Sequence, residues 1–247
     1  PNWLGFLGEY SSDSSPIFFL ISFCFLCLYS VLKGKLYIPL KSTEYSLFLL
    51  FIVLLVVATL LNMPDIIESY FKHTSGIERF IRQFISLAIS GLLFFITFIN
   101  VGRDLGVLVF FKLIRRTFLI SFSLVFTCGI LEYLIITHNV GFLESVIKIF
   151  DYLPFVEIRL NYRLLRVSSL TYEPPALGTY LITISGFMFS YIITASKKAT
   201  RFIPFICVVI LALISKSRTA FVVILLQCLV GLYFAYKTYP KFRVFFN

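Results

Sequence analysis

The sequence predicts an all-α polytopic membrane protein, and three observations predict it. Hydrophobic residues make up 59% of the chain and charged residues only 14%, with a mean hydropathy of +0.95. A soluble domain carries about a quarter charged residues. The apolar residues fall in long runs, as hydrocarbon-spanning helices require and a soluble core does not. Basic residues also alternate in density from one connection to the next, as topology in a membrane demands.

A helix needs about 20 apolar residues to cross ~30 Å of hydrocarbon. Seven spans are read on that basis: 16–32, 45–63, 83–101, 117–137, 176–195, 202–214 and 220–236. They form one transmembrane domain over 1–247, without an internal repeat, low-complexity tract or soluble domain. The run 105–113 is too short to span, and with Lys112, Arg115 and Arg116 it suits an interfacial helix.

Loop charge orients the spans. Connections 33–44, 102–116, 196–201 and the tail from Lys237 hold 13 Lys and Arg against two acids, Glu44 and Asp104. The N-terminal segment, 64–82, 138–175 and 215–219 hold nine of each sign. Positive charge marks the cytoplasmic side. The N-terminus is therefore expected outside and the C-terminus inside. The net charge of +10 reads as this orientation signal, not as a nucleic-acid footprint. No cleavable signal follows Pro1, and the sequence stops at Asn247 in mid-phrase, so missing ends, including an upstream helix, are expected.

The five cysteines all lie in apolar runs and read as small buried hydrophobes. Cys24-x-x-Cys27 lacks the further ligands a zinc site needs.

The longest connection, 138–175, is expected outside. Val146, Ile147, Ile149, Phe150, Leu153, Phe155 and Val156 make it amphipathic, suited to lying on the membrane surface. Arg159, Arg163 and Arg166 fall at i, i+4, i+7, one stripe of a helix. Alternation from Glu157 to Arg163 leaves a short strand open. Such arginines either meet lipid headgroups or capture an anion, since a guanidinium fork matches phosphate oxygens.

Thr171-Tyr172-Glu173-Pro174-Pro175-Ala176 then starts the fifth span from the outer side, because proline favours a first helical turn. Free N–H groups and the positive dipole end there suit phosphate. Glu173 either compensates that helix start or sits beside the arginines, orienting them or accepting a proton.

The sixth span is short. Its 13 residues rise only about 20 Å, which leaves Ser215–Thr219 below the outer surface. Charge at that depth survives only against protein or a wet cavity. Arg218 is then a cavity residue, and Ser217 a candidate cap for the seventh helix. One long kinked helix with Lys216 and Arg218 paired internally is the alternative; it would put the tail's Lys237, Lys241 and Arg243 outside, against the charge rule. Glu132 is the one acid within a predicted span, either functional or paired with an outer arginine. His73 and His138 fall on the outer side, where either could act as a base near neutral pH or be simply solvated.

Two motifs carry a resemblance. Arg166-x-x-Ser169-Leu170-Thr171-x-Glu173-Pro174-x-x-Leu177-Gly178 resembles the Arg…Glu-Pro-Ser…Gly signature of O-antigen polymerases (Wzy type). Ser215-x-Ser217-Arg218-Thr219-Ala220 resembles the Ser-Arg-Thr/Gly-Ala motif that follows it in the O-antigen polymerase/ligase superfamily. Pro175 stands where that family often has serine, and the two motifs cover about 163–221.

The resemblance implies a membrane glycosyltransferase of the bacterial inner membrane, without cofactor or metal. Its donor and acceptor would be undecaprenyl-pyrophosphate-linked glycans at the outer leaflet, its surroundings membrane lipids, and its partner a chain-length regulator protein. Arg166 and Arg218 would ligate pyrophosphate, with Arg163 and Ser217 assisting, and Glu173 would position an arginine or the acceptor. Glu132, Arg159 and His138 are further candidates. The related ligases carry a key histidine in a later periplasmic loop, which this sequence does not reach. An O-antigen ligase is the nearest alternative, with lipid A core as acceptor. A transporter of the same lipid-linked glycan is the alternative of another class, but it calls for repeats and matched broken helices, and only one interruption is seen.

Overall fold

In the computed structural model, the described residues are 15–39, 41–71, 74–152, 158, 160, 162, 166–171, 173–194 and 199–238. They are helical apart from short connections and one two-residue ladder, β1 (Tyr70–Phe71) with β2 (Thr74–Ser75). The helices are α1 (Ser15–Lys33), α2 (Thr43–Leu61), α3 (Met63–Glu68), α4 (Gly76–Leu87) and α5 (Phe94–Leu105). There follow α6 (Val107–His138), α7 (Gly141–Ile147), α8 (Pro174–Thr194), α9 (Ile203–Ile214) and α10 (Arg218–Thr238). Five stretches are long and apolar enough to cross a membrane: α2, Gly76–Leu105, α6, α8 and α10. Ile17–Lys33 and Ala199–Ile214 are apolar but shorter. This is a membrane protein built of apolar helices.

Among the described residues, the helices form two compact units, one within 15–110 and one within 111–238. In the first, Ser75 caps α4 by accepting from the Glu78 N–H (3.3 Å), and Glu78 pairs with Arg82 one turn on. A π segment, Ala88–Leu93, joins α4 to α5. Gly91 sits within it because a Cβ there would strike the Phe48 ring. Asn100 holds both backbone groups of Tyr37, accepting from its N–H (2.9 Å) and donating to its carbonyl (2.7 Å), so the link after α1 is tied to α5. Gly106, at φ +74°, ends α5 in a conformation open to glycine.

The expected interfacial helix at 105–113 is not separate. α6 runs unbroken from Val107 to His138, because no glycine or proline stands between Val107 and the predicted span. Asn139, at φ +52°, closes it, its N–H donating to the Ile135 carbonyl (3.0 Å).

In the second unit, paired contacts set the helix directions. Gly178 meets Ser217 and Ala220, Ser185 bonds Gln227, and Phe189 meets Gly231. The partners advance together, so α8 and α10 are parallel. Ser121 bonds Tyr180 (3.1 Å) while Arg115 bonds Thr194, so α6 runs antiparallel to α8. α9 connects them as the return limb, with Phe205 against Phe189 (5.3 Å). α9 and α10 therefore form a hairpin, not one kinked helix. The core between these helices holds Leu177, Leu181, Ile184, Met188, Val208 and Leu211, all fully buried.

The connection after α6 packs partly on protein. Ile147 is buried, and with Leu143 and Phe150 it covers Cys128 and Ile135 of α6, whereas Ile149 faces outward. Leu153, Phe155, Val156 and Glu157 of this loop lie outside the described residues. Tyr162 donates to Glu144 (2.7 Å), and that bond raises its phenol above the ordinary range.

Candidate functional site: a cavity between two helix starts

One end of the second unit gathers the polar residues. The turn 166–171, the start of α8, the end of α9 and the start of α10 meet there. Arg115 lies at the other end, its guanidinium on the Tyr191 ring (4.1 Å) and donating to Thr194 (2.5 Å).

Glycine at position 178 makes the meeting possible. A Cβ there would lie 2.9 Å from the Ser217 hydroxyl oxygen and 3.5 Å from the Ala220 Cβ. Small residues let helix backbones approach closely in lipid, where packing and polar contacts replace the hydrophobic drive. One turn and two turns further on, Gln227 of α10 donates to the Ile182 carbonyl (3.2 Å) and accepts from Ser185, fixing the register.

Between these helix starts lies a cavity of about 580 Å³. Arg166, Ser217 and Arg218 line it, with Pro174, Pro175 and Thr179 on the α8 side. Its size is that of a small-molecule site. Arg166 donates one guanidinium hydrogen bond to the Lys216 carbonyl (3.2 Å), tying the 166–171 turn to the α9–α10 turn. Four of its five donors are not used in that bond. Lys216 stands at φ +52°, a left-handed turn that reverses the chain within Ser215–Ser217.

α10 starts as a capped helix. The Ser217 hydroxyl accepts from the Ala220 N–H (3.4 Å), and the Ser217 carbonyl accepts from Phe221 (3.1 Å). Arg218 and Thr219 then occupy first-turn positions whose N–H groups have no intrahelical acceptor. α8 starts at Pro174, two residues before the predicted boundary. Both prolines thus fall in its first turn, and neither carries an N–H. The expected donor-rich start of α8 is corrected: it contributes dipole but few donors.

The other candidates separate from the cavity. Glu173 accepts through its backbone carbonyl from Leu177 (3.2 Å) and Thr171 (3.1 Å); its side chain is exposed and does not line the cavity. His138 is exposed at the end of α6, its ring edge on Tyr133, and also lies off the cavity lining. Arg159, Arg163 and His73 lie outside the described residues. The arginine stripe is thus represented by Arg166 alone, which is in no helix.

Among the described residues, Glu132 is paired with backbone and hydroxyl donors and not with an arginine. It is fully buried, and its carboxyl accepts from the N–H groups of Ser168 (3.0 Å) and Ser169 (2.6 Å) and from the Ser168 hydroxyl (3.2 Å). Arg166, the described arginine of the stripe, turns instead to the Lys216 carbonyl. Thr179, which lines the cavity, drew no notice in the sequence, whereas Thr219 stood there only as part of a motif. The signal for Thr179 was position: it stands three residues past the predicted start of the fifth span. Among the described residues, no group of three or more His, Cys, Asp or Glu side chains could hold a metal ion.

No protein-family model matches the chain, and no curated protein or solved structure matches it.

Proposed function

We propose that this chain is a lipid-linked polysaccharide polymerase of the O-antigen polymerase type, acting on undecaprenyl-pyrophosphate-linked oligosaccharides. The observation that carries the reading is the shared cavity. Arg166 and Arg218, which come from the two motifs that resemble that family, line the same 580 Å³ space beside a capped helix start.

The proposed chemistry is glycosyl transfer. An acceptor sugar hydroxyl attacks the anomeric carbon of the donor, a C–O bond forms, and the bond to the lipid pyrophosphate breaks. The hydroxyl proton passes to a base. Charge develops on the departing pyrophosphate, so fixed cations aimed at it lower the barrier. The guanidinium groups of Arg166 and Arg218 present two-point donors that match phosphate oxygens. The first-turn N–H groups of α10 and its dipole add to that field. Glu173, exposed beside the start of α8, is suited to meet the acceptor and not the pyrophosphate.

The proposed topology is seven spans in a bacterial inner membrane, with this chain's N-terminus periplasmic and its C-terminus cytoplasmic. Support comes from loop charge and from Arg115, a member of the basic set, standing at the opposite end from the cavity. The cavity would then face the outer leaflet, where membrane lipids deliver the donor and a chain-length regulator protein would act.

Reconstitution into proteoliposomes with purified lipid-linked repeats tests this. The expected product is a ladder of longer glycans, lost in Arg166→Ala and Arg218→Ala proteins that still insert. Transfer to lipid A core alone would favour the ligase. Translocation without bond formation would sink the enzyme reading.

A further inference from the structure

We infer that Glu132 is a positioning residue: from within α6 it fixes the 167–171 turn, and through that turn it sets where Arg166 stands in the cavity. The inference rests on the reading of the cavity as an anion site, but its first half stands on the turn alone.

One face of α6 is shaped to receive the turn. Val125, Gly129 and Glu132 fall at i, i+4 and i+7, which places them on one side of a helix. At the centre, Gly129 leaves room: a Cβ there would already be in contact with Val167 and Ser169 at 3.5 Å, and 2.6 Å from Leu211. At one end, the Val125 carbonyl accepts from the Ser169 hydroxyl (2.6 Å). At the other, Glu132 takes three hydrogen bonds from Ser168 and Ser169.

The turn needs that hold. Ser169 stands at φ +55°, a conformation that a residue with a Cβ adopts at a cost. Strained backbone persists where its surroundings over-determine it. Here both serine N–H groups converge on one carboxyl oxygen. Ser168 also accepts from the Thr171 N–H (3.1 Å), so the pinned residues dictate the path into α8. Upstream, two residues separate Ser169 from Arg166, whose guanidinium lines the cavity and bonds Lys216. A shift of the turn is therefore passed to Arg166 with little slack.

A carboxyl at this depth is costly in an apolar helix, which a merely packed position would avoid. Glutamine can substitute in principle. Its side-chain oxygen accepts from both N–H groups while its amide donates to the Ser168 hydroxyl.

The test uses the full chain in nanodiscs, with amide hydrogen exchange across 166–178 and titration with inorganic pyrophosphate. The wild type and Glu132→Gln are expected to protect the Ser168 and Ser169 amides and to bind pyrophosphate. Glu132→Leu is expected to exchange those amides about a hundredfold faster, the effect of losing two hydrogen bonds to one strong acceptor. Its pyrophosphate affinity should fall about tenfold or more, with α10 exchange unchanged. If the leucine protein fails to insert, Glu132→Asp, one methylene too short, should show the same losses. Full protection in the leucine or aspartate variant overturns the clamp. Lost protection with full affinity overturns the positioning role. Failure of the wild type to bind pyrophosphate overturns the anion reading and the positioning role that rests on it, whereas wild-type binding with an unaffected leucine variant overturns the inference alone. Failure of the glutamine variant to rescue would also count against it, since its hydrogen bonds are the stated cause.

Discussion

The starts of α8 and α10 lie side by side and point the same way, yet they offer different things to an anion. α10 opens on a serine cap, an arginine and first-turn N–H groups that point along its axis. α8 opens on two prolines, which supply dipole and rigidity but no donors. In the proposed reading, α10 binds the anion and α8 forms the wall, which Gly178 brings close.

The largest expected effects fall on the donor side. Arg218→Ala and Arg166→Ala should each lower turnover at least about a hundredfold, since a charge-assisted contact contributes about 1.5–3 kcal/mol and more where charge develops. Arg218→Lys should recover only part of the loss, because an ammonium lacks the two-point fork. If both alanine proteins polymerise normally, the assignment of α10 as the binding start is broken.

Next comes the approach between the helices. A side chain at position 178 would meet Ser217 at 2.9 Å or less, so Gly178→Val should push the two starts apart. Overpacking of this kind costs about 1–3 kcal/mol. Activity should drop with the protein still inserted, and thermal stability should fall with it. Equal stability would mean that the contact is slack.

Smaller effects sharpen the contrast. Pro175→Ala adds an N–H to the first turn of α8. If donors are what α8 lacks, pyrophosphate affinity should rise by about 0.3–1 kcal/mol, roughly two- to fivefold. No change would mean that the α8 start does not face the ligand. Ser217→Ala removes the cap of α10 and should lower stability by about 1 kcal/mol. Ser217→Gly should cost only a few tenths.

Much of this was legible in the sequence, for physical reasons that can be named. Apolar runs marked the helices of the second unit, and the Pro-Pro pair and Ser217 marked two helix starts within two residues. Local chemistry writes such signals, because caps and prolines act on their own neighbours. What could not be read were pairings between distant segments. Glu132 stood out as a buried acid, but its partners are backbone N–H groups 36 and 37 residues away, and backbone donors leave no mark in a sequence. The parallel register of α8 with α10 rests on Gly178, which the sequence marked only as the end of a motif, and on Ser185 and Gln227, which it did not mark. The run 105–113 misled because basic residues at a helix end look the same whether the helix stops or continues.

The most direct test of the central claim is a comparison of lipid ligands on the intact protein. Binding of undecaprenyl pyrophosphate and of undecaprenol is measured in nanodiscs, for the wild type and for Arg218→Ala. The arginine cavity predicts that the wild type prefers the pyrophosphate by about a hundredfold or more, the share of two charge-assisted contacts, and that the variant loses most of that preference. Equal wild-type affinity for both lipids, or a preference that Arg218→Ala leaves intact, would contradict it.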